Sequence, residues 1–249
     1  MALLNCSVYS KELKMQTSLT VFLPTDTNAI PLSQQKTLYL LHGLTDGCHS
    51  WLTQTSICRY AQNNNIAVIM PEGHRSFYNN IPYSSNYFSY ITEELPSLCN
   101  KLFQINTLSE NTFIAGNSMG GYGALKSFFT YPEHYKGGCF AFSPVVKISE
   151  AVHLLPKDEL DFNIKSLFGS MNQKSESENL YLLSSKMHVQ HSKLYITCGT
   201  EDFLFDQNLA FHHYLTKNNI SHYFSDKIGT HSWAFWEDSL KIALNEWTK

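Results

Sequence analysis

The chain has 249 residues, 43% of them hydrophobic and 14% aromatic, and a formal net charge of −3. That length buries a sizeable core, and no run of about 20 apolar residues is present to cross a bilayer. With only two arginines, Arg59 and Arg75, and no basic cluster, neither nucleic acid nor an anionic membrane surface is implied as a partner.

The first elements read as two strands in residues 4–10 and 17–23, joined by a turn around Ser10 to Lys14. Pro24 to Gln35 is polar, carries two prolines and reads as a loop. Thr37-Leu38-Tyr39-Leu40-Leu41 is a short continuous apolar run, the pattern of a strand buried on both faces, and it ends in His42-Gly43-Leu44-Thr45-Asp46-Gly47. A short helix over Ser56 to Asn63 and a buried strand over Ile66 to Met70 follow, the strand stopped by Pro71. Glu72 to Phe88, rich in aromatic, Ser and Asn residues, reads as a long surface loop. Tyr90 to Phe103 has helical spacing, with Pro96 either bending the helix or marking a later start.

The centre of the chain is Thr112 to Gly123. An apolar run enters Gly116-Asn117-Ser118-Met119-Gly120, and a helical run, Ala124 to Phe129, leaves it. Gly-x-Ser-x-Gly between a strand and a helix is the nucleophile elbow, a turn sharp enough to lift a serine hydroxyl off the end of a sheet. Gly138 to Phe142 is a further strand. Residues 145–190 are irregular and polar and read as an insertion over the top of the sheet, not a separate domain. Lys193 to Cys198 is a strand leading into Gly199-Thr200-Glu201-Asp202. Phe205 to Lys217 is helical, Ser221 to Ser225 is a short strand, and Gly229-Thr230-His231-Ser232 leads into a closing helix, Trp233 to Trp247. Strands alternating with helices predict a mostly parallel central sheet covered on both faces, in one domain spanning 1–249.

In such a sheet, functional groups collect beyond the carboxyl ends of the strands. A serine hydroxyl needs a base to take its proton and a carboxylate to orient that base. Ser118, Asp202 and His231 each follow a predicted strand, in the order expected of an α/β-hydrolase. Eleven histidines compete for the base: His42 is the main rival, His212 and His213 fall within a helix, and His188 and His191 precede a strand. Glu201 and Asp206 are alternatives to Asp202. The oxyanion calls for backbone N–H donors, expected from Met119 after the nucleophile and from Leu44 after the Leu38–Leu41 strand. His212-His213, His188-x-x-His191 and Cys48-His49 form no coherent ligand set, so no metal is expected. The elbow lacks the lysine of a phosphate-binding loop. Six scattered cysteines without a C-x-x-C pair, and an N-terminal Met1–Cys6 unlike a signal peptide, point to reduced thiols and a cytoplasmic protein.

Leu40-Leu41-His42-Gly43-Leu44-Thr45-Asp46, Met70-Pro71, the extended Gly116-x-Ser118-Met119-Gly120-Gly121-x-Gly123, Gly199-Thr200-Glu201-Asp202 and Gly229-Thr230-His231-Ser232-Trp233 together resemble the esterase D family. That family includes S-formylglutathione hydrolases, feruloyl and acetyl-xylan esterases and the small bacterial tributyrin-type esterases, which this sequence resembles most. The resemblance implies an α/β-hydrolase fold, no cofactor, a small-molecule ester substrate and hydrolysis of short acyl esters through an acyl-enzyme. It makes Ser118 the nucleophile, His231 the base and Asp202 its orienter. A single glycine after His42 departs from the HGGG loop of many lipases and leaves the second oxyanion donor less defined. The same triad would serve a thioesterase such as S-formylglutathione hydrolase, or an acyltransferase if water were excluded. A non-catalytic hydrolase-fold binding protein is opposed by the intact Ser118, Asp202 and His231. A homo-oligomer is compatible with the sequence.

Overall fold

The computed structural model describes residues 1–25, 30–81, 84–151, 179–187 and 193–248. Its frame is an eight-stranded sheet of order β1-β2-β4-β3-β5-β6-β7-β8. Strands β1 (Ala2–Ser10) and β2 (Met15–Leu23) form an antiparallel hairpin in the register Ala2↔Leu23 to Ser10↔Met15. β2 pairs antiparallel with β4 (Ile66–Pro71). From there the sheet is parallel through β3 (Lys36–Leu41), β5 (Thr112–Asn117), β6 (Gly138–Phe142), β7 (Leu194–Gly199) and β8 (Tyr223–Lys227). The fold is that of an α/β-hydrolase, as expected.

Strand alternation explains why the central runs are apolar throughout. Leu38 and Leu40 face one side of β3 while Tyr39 and Leu41 face the other, and all four are at most 2% exposed. On the first side they join α2 (Ile57–Asn64) and α7 (Trp233–Ile242) through Tyr60, Ala61, Trp236 and Leu240. On the second, Tyr39 and Leu41 share a core with α3 (Leu95–Phe103), α4 (Met119–Thr130) and α6 (Phe205–Lys217). The chain runs from β3 outward to β4, then returns to place β5 on the other side of β3. The order reverses there, so the loops leaving β3 and β5 diverge and open a crevice at their carboxyl ends.

Several expected boundaries move. A turn of helix at Ser50–Gln54 precedes α2 and carries the buried Trp51. Tyr90–Glu94 is wound as a π-turn before α3, so Pro96 sits at the start of the regular helix, where its missing N–H does little harm. The last helix likewise passes into a π-turn at Ala243–Trp247. β8 begins two residues later than expected because the His222 ring is held by Ile220 O and His212 before the strand forms. Of the expected 145–190 insertion, residues 152–178 and 188–190 lie outside the described residues. Among the described residues no helix is long and apolar enough to cross a membrane, and all six cysteines are unpaired.

The largest correction concerns Glu72 to Phe88. Its middle is not a surface loop: Ser76, Phe77, Tyr78 and Asn79 are each at most 3% exposed. His74, Phe77 and Tyr78 adopt φ of +45°, +48° and +50°, which turns the chain inward and sends Tyr78 beneath the end of β3. There its hydroxyl accepts the His42 N–H and donates to the His42 carbonyl, both at 3.0 Å. Removing the hydroxyl leaves two buried backbone groups without that partner, so Tyr78→Phe is expected to lower stability by about 1–3 kcal/mol, read from the urea midpoint at unchanged m-value.

Candidate active site

Ser118 stands at the turn between β5 and α4 with φ +52° and ψ −115°, a conformation that costs about 1–3 kcal/mol for a residue with a side chain. Its neighbours hold it there. The Ser118 N–H donates to Phe142 O at 2.9 Å, and the Ser118 carbonyl accepts from Val145 N–H at 3.1 Å and Tyr122 N–H at 3.0 Å. The turn is possible only because α4 can approach β3: a Cβ on Gly120 would lie 2.4 Å from Leu41 O.

The loops after β7 and β8 bring the other two groups. Asp202 follows β7, and its carboxylate is fully buried. It accepts the Leu204 N–H at 2.9 Å and faces His231 Nδ1, with Oδ2 at 2.8 Å and Oδ1 at 3.0 Å. His231 Nε2 is 3.0 Å from Ser118 Oγ. The imidazole is braced by Phe203 (centroids 4.5 Å apart) and by Trp236, edge-on at 4.8 Å. The two loops meet at Gly199, where a Cβ would fall 2.1 Å from Gly229 O. Glu201 N–H also donates to Gly229 O at 3.0 Å.

Of the alternatives weighed on sequence, Glu201 and Asp206 are exposed and take no part in this chain of contacts. His212 pairs with His222 at 2.8 Å instead of approaching Ser118, His213 is exposed, and His188 and His191 lie outside the described residues. His42 is buried below the β3 loop. Among the described residues no group of three or more His, Cys, Asp or Glu side chains is placed to hold a metal ion.

A cavity of about 270 Å³ opens over Ser118, walled by Leu44, Phe77, Met119, Val145, Phe203 and Trp236 among others. Met119 is the first residue of α4, so its N–H has no intrahelical acceptor. Leu44, on the β3 loop, borders the same cavity.

Sequence reasoning did not single out Glu72, which follows Pro71 at the end of β4. Its carboxylate accepts Cys48 N–H at 3.1 Å and His74 N–H at 2.9 Å and approaches His42 Nε2 at 3.1 Å. Burial pushes the carboxyl up, but the bond and charge of His42 and the two N–H donors outweigh it and hold it at about 2. A carboxylate at the carboxyl end of a parallel strand was the available signal.

Comparison with known proteins places the chain in a family. The Esterase family profile matches residues 10–246. An acetyl esterase of Caldicellulosiruptor saccharolyticus is 31% identical over 263 residues, covering 99% of this chain and 98% of that protein. A fluorophosphonate-binding serine hydrolase of Staphylococcus aureus, solved with substrate bound, is 32% identical with a TM-score of 0.88, over 100% of this chain and 98% of that one. An S-formylglutathione hydrolase of Staphylococcus aureus, solved as the apoenzyme, has the same identity and TM-score over 100% and 99%.

Two outcomes follow from the packing of these loops. Gly199→Ala is expected to force the β7 and β8 loops apart, with about 1–3 kcal/mol of destabilisation by overpacking and a fall in turnover approaching 10²-fold from misplacing Asp202 against His231, order-of-magnitude; thermal unfolding and ester turnover measure the two effects. Because the folded-state pKa of Glu72, about 2, lies below the ordinary 4.5, its contribution is complete above pH 4.5 and is lost as pH falls toward 2. The stability gap between the native chain and Glu72→Gln should therefore be widest near neutrality and narrow steadily between those two values in urea titrations.

Proposed function

The chain belongs to the Esterase family and is a serine carboxylic ester hydrolase, and from that premise we propose that Ser118 is its nucleophile, His231 its general base and acid, and Asp202 the group that orients His231. The observation that carries this reading is the unbroken chain from Ser118 Oγ to His231 Nε2 at 3.0 Å and from His231 Nδ1 to Asp202 Oδ2 at 2.8 Å. His231 takes the Oγ proton as oxygen attacks the acyl carbon. The carbonyl electrons move to oxygen, and the Met119 and Leu44 N–H groups donate hydrogen bonds to the resulting oxyanion. When the tetrahedral intermediate collapses, the bond to the leaving oxygen breaks and His231 returns the proton to it. Water, activated by the same imidazole, then releases the acid from Ser118. Throughout, the buried Asp202 carboxylate keeps Nδ1 protonated and stabilises the imidazolium.

The substrate proposed is an ester of a short acyl group. The cavity is small for a ligand pocket and its wall is largely apolar, which suits an acetyl-sized acyl chain, and the acetyl esterase relative supports the same choice. A thioester reading of the S-formylglutathione type is favoured by the whole-chain likeness to such a hydrolase; the same atoms would attack it, with a thiolate as leaving group. We read the whole chain, 1–249, as a single domain; of the expected 145–190 insertion, the described residues Val145 and Ala151 stand on the cavity wall. The unpaired cysteines favour a cytoplasmic location.

Ser118→Ala is expected to abolish hydrolysis of p-nitrophenyl acetate while leaving the far-ultraviolet spectrum unchanged, and retained turnover would refute the nucleophile assignment. Asp202→Asn should lower kcat by roughly 10³- to 10⁴-fold. A series of p-nitrophenyl esters from acetate to octanoate, run beside S-formylglutathione, should peak at the shortest acyl groups and decides between oxygen and sulfur leaving groups.

A further inference from the structure

His42 rivals His231 on sequence, yet it stands behind the β3 loop and not over Ser118. It is 1% exposed and is not among the residues walling the Ser118 cavity. Each of its polar groups has a partner. The main-chain N–H and C=O both meet Tyr78 Oη. Ring Nδ1 lies 2.7 Å from Gly43 O; a carbonyl only accepts, so Nδ1 carries the proton. Ring Nε2 accepts the Gly73 N–H at 2.9 Å, and Glu72 Oε1, at 3.1 Å, is placed to receive a proton on that nitrogen. The Nδ1–H is thus present in either protonation state.

The carbonyl it binds belongs to the Gly43–Leu44 peptide. That peptide is trans, so its C=O and N–H point in opposite directions. Asp46 N–H also donates to Gly43 O, at 3.3 Å. The carbonyl is therefore drawn to the buried His42 side, while Gly43 and Leu44 border the cavity that holds Ser118. Turning the oxygen inward turns the Leu44 N–H away from the His42 side.

We propose that His42 is a positioning residue for ester hydrolysis: its Nδ1–H holds the Gly43 carbonyl so that the Leu44 N–H is presented to the oxyanion of the tetrahedral intermediate. The inference rests on the reading of Ser118 as nucleophile and Leu44 as donor. Glu72 and Tyr78 fix the His42 ring and backbone and so act through it. Freed of this bond, the peptide plane can turn over and offer a carbonyl lone pair where the intermediate needs a donor. The loss would fall on the transition state and spare the bound ester.

Two substitutions separate this role from packing. His42→Asn places an amide N–H near the Nδ1 position, whereas His42→Gln places one near the Nε2 position. On p-nitrophenyl acetate, His42→Gln is expected to lower kcat by roughly 10²-fold with KM changed by less than about twofold. Affinity for a trifluoromethyl ketone, whose adduct carries the same oxyanion, should fall in parallel, and His42→Asn should recover most of both. Equal impairment of the two variants, or a change confined to KM, overturns the proposal. A measurement on the unmodified protein covers the case in which neither variant folds: with ¹⁵N-labelled histidine, His42 Nδ1 should resonate as the protonated nitrogen at pH 8, and an unprotonated Nδ1 overturns the proposal. If Ser118→Ala leaves hydrolysis unchanged, the nucleophile reading fails and takes this one with it. Ser118-dependent hydrolysis indifferent to His42 overturns the positioning role alone.

Discussion

A serine at φ +52° does not stay there unaided; the approach of α4 to the end of β3 is the constraint on which the rest of the molecule depends. With Gly120 against Leu41 O, the first turn of α4 lies directly beside the β3 loop. Two chain segments far apart in sequence therefore border the same cavity beside Ser118. The bonds from Ser118 to Phe142 and Val145 extend the same constraint to the end of β6. Strain at one residue is sustained because three strand ends share in holding it, and the topology places those ends together by reversing strand order at β3 and β5.

Two carboxylates, Asp202 buried and Glu72 part-buried, lie near this turn with different effects. Asp202 has a histidine on its solvent side whose other nitrogen reaches Ser118, so in the proposed mechanism its charge stabilises an imidazolium that gives up its proton to a reacting atom. Glu72 lies beyond a histidine that is itself buried, and its other partners are backbone N–H groups at Cys48 and His74 and the exposed His74 ring, 3.5 Å away. Its charge is spent on holding loops. The difference is one of placement: the His231 ring borders the cavity, and the His42 ring does not.

The elements that read clearly from sequence are those in which burial and periodicity coincide. β6 and α6 fall on Gly138–Phe142 and Phe205–Lys217 as expected, because a strand buried on both faces is apolar throughout and a helix keeps its spacing. That Ser118, Asp202 and His231 meet was legible for a further reason, since each lies just past a strand and they come in the order expected of this fold. Glu72 to Phe88 was not. Its polar composition signals a loop, while its burial arises from positive φ at His74, Phe77 and Tyr78, which no local pattern reveals. The roles of Tyr78 and Glu72 depend on His42, some thirty residues earlier, and on contacts that exist only once β3 and β4 are paired.

This division also bears on how the site divides its tasks. In the proposed mechanism, proton transfer depends on side chains at the ends of β5, β7 and β8, whereas stabilisation of negative charge on oxygen depends on main-chain N–H groups at the starts of α4 and the β3 loop. Side chains at Met119 and Leu44 are consequently free to be apolar, and both help form the wall of the cavity over Ser118. A backbone donor, however, is only as well aimed as its peptide plane. At Met119 the helix fixes that plane. At Leu44 no helix does so, and the plane is set by what binds the Gly43 carbonyl, the Nδ1–H of His42 and the N–H of Asp46. A buried histidine with every polar group engaged is a stiffer anchor than solvent.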